Sequence, residues 1–213
     1  MQPNALDAMI DVALVAETGS VSDDALIHWS LPADDFPGSR RRSRVARALL
    51  RRMLVHATGI PSEEWTFDAE PSGRPIARNI GYRHIPSVSL SHSGGWVACA
   101  ISFATAVGID IEVYNSRRDF TRIAAATFGP EEQMVVAAEG ESAFYRIWTL
   151  KEAMAKASGA GIAEVADRTD RVAKTPKEGA WRQRVGTTSW WLAHETPVSG
   201  LSLAVALLDV GTV

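Results

Sequence analysis

One cysteine, Cys99, stands in 213 residues, so no intramolecular disulfide framework can form, and a reducing compartment is the expected setting. No apolar run approaches the ~20 residues that span a bilayer. The opening MQPNALDAMIDVALVAETG has no cationic leader, and Asp7 and Asp11 fall where a signal peptide is apolar. Basic residues are not in excess either: the formal net charge is −3, with 22% charged residues, which argues against the global positive field of nucleic-acid binders. There is no low-complexity tract and no evident repeat. These absences predict a cytoplasmic globule without a membrane or nucleic-acid partner. A hydrophobic content of 46% is enough for a real core, in one large domain or two small ones.

What is present alternates between short strands and helices. MIDVALVA and DALIHWSL have strand character. GSRRRSRVARALLRRMLVHATG predicts a helix ending at Gly59, with Val45, Leu49, Met53 and Ala57 as a buried stripe. EPSGRPIARN has the turn residues of a loop. SVSLSHSGGWVACAISF predicts two strands around Gly94 and Gly95, and AVGIDIEVY a third. TRIAAATF and PEEQMVVAAEG predict short helices, the second with Pro130 at its first position. WTLKEAMAKASG, residues 148–159, predicts another helix. Residues 161–186 look polar and irregular, and TTSWWLAHE with GLSLAVALLDV closes the chain as a hairpin. The natural seam lies near 104–106, which divides the chain into 1–105 and 106–213.

Four constellations could carry chemistry. In VGIDIEV, strand alternation sends Val107, Ile109, Ile111 and Val113 one way and Asp110 with Glu112 the other. Such neighbouring carboxylates repel unless a cation sits between them, and a hard divalent ion takes oxygen ligands; the plainer account is an amphipathic strand with a wet acidic face. In SVSLSHS, His92 continues the apolar row of Val88 and Leu90. It is either a satisfied, partly buried ring or a donor to an anion at the strand end. Arg40, Arg41, Arg42 and Arg44 crowd the first turn of their helix, where cations oppose the dipole unless an anion sits among them; a solvated charge run is the alternative. In the 148–159 helix, Ile147, Leu150, Met154 and Ala157 form the core stripe, and Trp148, Glu152 and Lys156 an adjoining face. Glu152 and Lys156 also suit an ordinary surface pair. Lys151 falls at the edge of the apolar stripe, an awkward place for a cation without a partner.

In order along the chain, GRPIA at 73–77, SLSHS at 89–93, GIDIE at 108–112, FGPEE at 128–132, FYRIW at 144–148 and WTLKEAMAK at 148–156 resemble the motifs of the Sfp-type 4'-phosphopantetheinyl transferases. The pairing of G-[IV]-D-x-E with W-[ST]-x-K-E-x-x-x-K is the specific part, and the resemblance covers roughly residues 40–160. It implies an α+β fold of two similar halves with pseudo-twofold symmetry, each a small antiparallel sheet with a packed helix. The N-terminal half would carry the coenzyme A nucleotide contacts, and the C-terminal half the metal site and catalytic helix. It implies an enzyme that moves the phosphopantetheine arm of coenzyme A to a serine of an apo acyl or peptidyl carrier protein, releasing 3',5'-ADP.

The family's roles carry over by position. Asp110, Glu112 and Glu152 would bind Mg2+. His92, Lys151 and Lys156 would sit near the phosphates, with the glutamate of the Lys151-Glu152 pair facing metal or serine and the lysine facing phosphate. Arg74 would meet the 3'-phosphate, and Arg42 with Ser43 would lie near the adenine nucleotide. Glu152 is the first choice for the proton acceptor and Glu112 the second. A monomer is the family expectation. A Mg2+-dependent phosphodiesterase, using water on coenzyme A or a related phosphoester, is the alternative enzyme. A catalytically silent carrier-protein binder would have lost metal ligands that are all present here.

Overall fold

The computed structural model describes residues 25–30, 39–71, 73–81, 85–161 and 170–209, with backbone alone for 25–30 and 39–45. The strand expected at 9–16 lies outside the described residues. The chain divides into two compact units, Met1–Val107 and Gly108–Val213.

In the first unit, β1 (Ala25–Ser30), β5 (Trp96–Ser102) and β4 (Ser87–Ser93) form an antiparallel sheet in that order. Gly94 (φ 62°) and Gly95 (φ 128°) make the two-residue β4–β5 turn that pairs Ser93 with Trp96. Both need the left-handed region, which only glycine enters without cost. Helix α1 (Ser39–Thr58) covers one face of this sheet. Its buried row is Ala46, Leu49, Leu50, Met53 and Leu54, packed on Trp65, Val88, Val97, Cys99 and Ile101. Of the expected stripe, Leu49 and Met53 are in the core and Ala57 is exposed, while the side chain of Val45 lies outside the described residues. Steps of four advance about 40° each around a helix of 3.6 residues per turn, so such a row walks off the buried face.

The loop expected at 70–79 also needs correction. Strands β2 (Thr66–Ala69) and β3 (Pro75–Arg78) pair antiparallel as a hairpin, with Ala69 opposite Pro75. The Pro-Ser-Gly cluster marks only the turn, closed by Glu70 N–H to Arg74 O at 2.8 Å with Gly73 at φ 86°. Pro75 is tolerated as the first residue of a strand.

The second unit holds β6 (Val107–Val113, its first residue closing the other unit), α2 (Phe120–Thr127), α3 (Pro130–Glu139), α4 (Glu141–Ser158), β7 (Gly179–Val185), β8 (Thr188–Glu195) and β9 (Leu201–Asp209). Its sheet runs β6-β9-β8-β7, with β7–β8 and β8–β9 antiparallel. Helix α4 begins seven residues before the expected start at Trp148, separated from α3 by Gly140 alone. The expected stripe Ile147, Leu150, Met154 and Ala157 is fully in the core, against Trp190, Leu192, Ala204 and Ala206. The segment 161–186, expected to be irregular, contains β7. Only Trp181, Gln183 and Val185 of that edge strand are half-buried, while Arg182 and Arg184 are exposed, so its apolar signal is faint. The fold is α+β, and each unit is a sheet with a long helix packed on it, although their strand numbers and orders differ.

A buried polar chain ties the second unit together. His194 on β8 is 3% exposed. Its Nδ1–H donates to the Lys177 carbonyl, and its Nε2 lies 2.9 Å from Ser202 Oγ, itself 3.0 Å from Thr149 Oγ1. A carbonyl can only accept, so Nδ1 holds the proton of the neutral ring and Nε2 accepts from Ser202, while the single Thr149 proton is shared between Ser202 and the Tyr145 carbonyl at 2.9 Å. Burial, with a smaller effect of the Arg146 charge, lowers the His194 pKa from 6.5 to about 4. Above 6.5 the folded and unfolded rings are both neutral; between 6.5 and about 4 only the unfolded ring takes a proton. Stability should therefore fall as pH drops through that window, by on the order of 3 kcal/mol in all. Urea midpoints of wild type and His194→Gln across pH 7 to 4 check this: the variant should be less stable at pH 7 and show a shallower acid slope. Parallel slopes would assign the acid sensitivity to other groups.

Candidate active site on strand β6 and helix α4

Gly108 explains how the two elements meet. A Cβ placed there would come within 1.9 Å of the Ala153 carbonyl oxygen and 2.7 Å of Ala157 N, so the α4 backbone lies directly on β6. By strand alternation Asp110 and Glu112 share the Gly108 face and point toward α4. Asp110 is consequently only 5% exposed, which overturns the wet acidic face. From Ala143 to Ala157 the only residues of α4 that are not buried are Trp148, Glu152 and Lys156. One row at spacing of four is open, as the sequence predicts.

The charges on these two elements form one group. Lys156 Nζ lies 2.7 Å from Asp110 Oδ1 and donates to the Ile109 carbonyl at 3.1 Å. The Glu152 carboxyl is pushed above the usual carboxylate range, chiefly by burial, then by the Asp110 charge, with Glu112 adding to the rise and Lys156 opposing it. Glu112 lies 3.8 Å from Arg118, whose guanidinium stands 5.7 Å over the Tyr145 ring. Three hard carboxylates in one locality have the donor chemistry that Mg2+ takes. Among the described residues, however, no three His, Cys, Asp or Glu side chains are gathered tightly enough to grip an ion. An ammonium and a guanidinium supply the positive charge instead.

Lys151 departs from expectation. Its side chain is wholly buried: Nζ lies 3.0 Å from Glu132 Oε2, 3.4 Å from the Thr127 carbonyl and 5.2 Å from the Phe128 ring centre. Glu132, on α3, is equally buried and accepts from Gly129 N (3.1 Å), Arg171 N (2.9 Å) and Val172 N (3.1 Å). The lysine is therefore part of an internal ion pair and does not face phosphate. Successive helical residues point about 100° apart, so Glu152 can look at β6 while Lys151 looks at α3. Glu132 is absent from the residues expected at the site. Its signal is legible in GPEE, where a glutamate three residues after the Gly129 cap is placed to accept the cap's own N–H.

In the first unit, His92 is exposed at the end of β4, paired across the sheet with Val97; it is not the partly buried ring that the apolar row suggests. Arg74 is half-buried and donates from Nη2 to Ser87 Oγ at 2.7 Å; that same oxygen accepts from Val107 N at 3.0 Å. Arg42 and Ser43 lie in the first turns of α1, as do Arg40, Arg41 and Arg44. The structure thus gathers Asp110, Glu112, Glu152 and Lys156 on the second unit, and His92, Arg74, Arg42 and Ser43 belong to the first.

The pair within the core has a measurable signature. Lys151→Met leaves Glu132 charged and buried without its cation, at a cost of ~3–5 kcal/mol. Glu132→Gln should cost a similar amount. In urea titrations the double variant should lose clearly less than the sum of the single losses. Strict additivity would mean that the two side chains do not act as a pair.

Comparison with known proteins bears on the same two elements. The model of the 4'-phosphopantetheinyl transferase superfamily matches residues 106–206, a span containing all of β6 and all of α4. The 4'-phosphopantetheinyl transferase HetI of Nostoc sp. is 33% identical over 183 residues, 83% of this chain and 74% of that protein. The 4'-phosphopantetheinyl transferase psf-1 of Bacillus pumilus is 34% identical over 126 residues, 57% of this chain and 52% of its own length. For gsp of Aneurinibacillus migulanus, another 4'-phosphopantetheinyl transferase, the identity is 30% over 165 residues, 75% and 64%. The chain thus spans about three quarters of the first relative and about half of the second. Among the described residues no helix is long and apolar enough to cross a membrane. With GIDIE laid against WTLKEAMAK inside the matched span, and identity sustained over most of the chain, this protein belongs to the Sfp-type enzymes of the 4'-phosphopantetheinyl transferase superfamily.

Proposed function

We propose that the chain transfers the 4'-phosphopantetheine arm of coenzyme A to a serine of an apo acyl or peptidyl carrier protein, in a Mg2+-dependent reaction that releases 3',5'-ADP. The observation that carries this reading is the meeting of Asp110, Glu112, Glu152 and Lys156 where α4 lies on β6. The relatives are named 4'-phosphopantetheinyl transferases, which supports movement of that arm. In this reading the chain works as a cytoplasmic monomer, with neither nucleic acid nor membrane as partner.

Asp110, Glu112 and Glu152 would hold Mg2+, which when bound supplies charge neutralisation at the pyrophosphate. The serine oxygen forms a bond to the β-phosphorus, and the bond from that phosphorus to the bridging oxygen breaks, so that 3',5'-ADP leaves with the electron pair. Glu152 takes the serine proton. Glu112, held by Arg118 at 3.8 Å, is the second choice. Lys156 and His92 would neutralise phosphate charge as it develops on the leaving group. Arg74 would read the 3'-phosphate, with Arg42 and Ser43 near the nucleotide. Lys151 is withdrawn from this set because Glu132 already holds it in the core.

Intact mass measurement of apo carrier proteins after incubation with the protein, coenzyme A and Mg2+ tests the central claim. The expected result is one phosphopantetheine adduct per carrier. Coenzyme A cleavage without any carrier and no adduct on any carrier would instead establish the phosphodiesterase. In the same assay Glu152→Gln should lower turnover ~10²–10⁴-fold, the usual cost of removing a proton acceptor. Near-normal turnover in Glu152→Gln with collapse in Glu112→Gln would exchange the two roles.

Coenzyme A differs from dephospho-coenzyme A by the 3'-phosphate alone, and each charge-assisted hydrogen bond to that group is worth ~1.5–3 kcal/mol. Arg74→Ala should therefore reduce kcat/KM for coenzyme A by roughly ten- to a hundredfold and leave that for dephospho-coenzyme A nearly unchanged. Equal losses on both substrates would assign Arg74 to its hydrogen bond with Ser87 instead.

A further inference from the structure

Trp148 is the apolar member of the open row of α4, half-buried like Glu152 and Lys156. Its ring packs against the core, 5.9 Å from the ring of fully buried Phe144. Phe144 lies 5.9 Å in turn from half-buried Phe120 on α2. Glu152 follows Trp148 by one turn and Lys156 by two, each step ~6 Å along the axis. The row thus presents an aromatic face, a carboxylate and an ammonium in that order. The transfer chemistry set out above gives Trp148 no part, and the core does not cover the exposed portion of its ring. An aromatic face open beside charged groups suits a ligand that is apolar next to its charge.

Coenzyme A is built in the same order. Its β-phosphorus is joined through one oxygen and one methylene to a quaternary carbon that bears two methyl groups. That span fits within the ~6 Å between neighbouring members of the row. We propose that the Trp148 ring holds the dimethyl carbon of the pantoyl group, one helical turn from where Glu152 and Lys156 meet the phosphate. The methyl groups lie on the indole face, which both shed from water. These carbons travel with the phosphorus to the carrier serine, so the contact is the same before and during transfer. It therefore fixes the arm and strengthens binding without adding to the chemical step. This inference rests on the transfer reading above, and its tests read binding.

Two ligands separate the arm from the phosphates: coenzyme A, and adenosine 3'-phosphate 5'-diphosphate, which is coenzyme A cut at the β-phosphate. Calorimetric titration with Mg2+ present gives Kd for each on wild type, Trp148→Ala and Trp148→Phe. Trp148→Ala should weaken coenzyme A by roughly five- to thirtyfold, the worth of part of an indole face. Its affinity for the cut nucleotide should stay nearly unchanged, and Trp148→Phe should fall between wild type and Trp148→Ala on coenzyme A. A second readout needs wild type alone: hydroxyl-radical footprinting read by mass spectrometry, with Met134 on α3, 64% exposed, as internal standard. Coenzyme A should protect Trp148 severalfold, and the cut nucleotide should not. Unchanged oxidation of Trp148 under coenzyme A overturns the proposal even if Trp148→Ala fails to fold. Equal losses on the two ligands overturn it too and assign Trp148 to the support of the phosphate site. Undiminished coenzyme A binding in Trp148→Ala, with a raised KM for apo carrier protein, would give the ring to the carrier instead. Each of these spares the transfer reading. Wild-type protein that binds neither ligand overturns both.

Discussion

Direct contact between the α4 backbone and β6 at Gly108 is the constraint on which the site depends. A helix usually stands off a sheet by the width of its side chains; here the Ala153 carbonyl occupies the space where a Cβ would be. The small residues Ala153 and Ala157 on the helix side allow the same approach. Because of it, a carboxylate on the strand and a carboxylate and an ammonium on the helix come within one another's field, with little water between them. The raised pKa of Glu152 follows from that geometry, since burial is its largest cause and Asp110 the next. A larger residue at position 108 would push the helix outward, hydrate Asp110 and weaken every interaction in the group at once.

The opposite side of α4 is held by a different device. Lys151 is drawn toward α3 by Glu132, whose two oxygens also accept three backbone N–H groups. Buried ion pairs are weak sources of net stability but impose a definite geometry on their partners. Lys151 is thus held toward α3 while Gly108 lies against the helix backbone. Glu152 and Lys156 are presented to β6 from the adjoining face of the same helix. The polar chain from Thr149 through Ser202 to His194 adds a third tie, between the helix and strands β9 and β8.

Much of this was legible in the sequence wherever one local rule dominated. The Gly94-Gly95 turn, the core stripe of α4 and the strand alternation of GIDIE each state their outcome in a few residues. The ordered motifs carried family membership, since the pairing of GIDIE with WTLKEAMAK is far more restrictive than either alone. What escaped depended on neighbours distant in the chain. Whether Asp110 is wet or buried is decided by Ala153 and Ala157, more than forty residues away. Whether Lys151 meets phosphate or carboxylate is decided by Glu132, and nothing local to KEAMAK reveals it. Strand β7 escaped because an edge strand buries little, so its period-two signal rests on Trp181 and Val185 alone. Ala57 was misplaced for a simpler reason, a row of fours drawn where the helix needs alternating threes and fours.

That same edge strand bears on how the unit survives its own folding. Strand β7 ends the sheet β6-β9-β8-β7, so its outer backbone groups could template a further strand from another molecule. Arg182 and Arg184 stand exposed along it, and Arg182 lies 4.5 Å over the Trp191 ring and 3.7 Å from Asp209. Two guanidinium groups on so short an edge repel a second copy presenting the same pair, which discourages sheet-to-sheet aggregation. The stacked arginine also shields the Trp191 face that a bare edge would offer as an adhesive surface. Strand β7 thus works as a chemical border, and its weak apolar character is what fits it for that place.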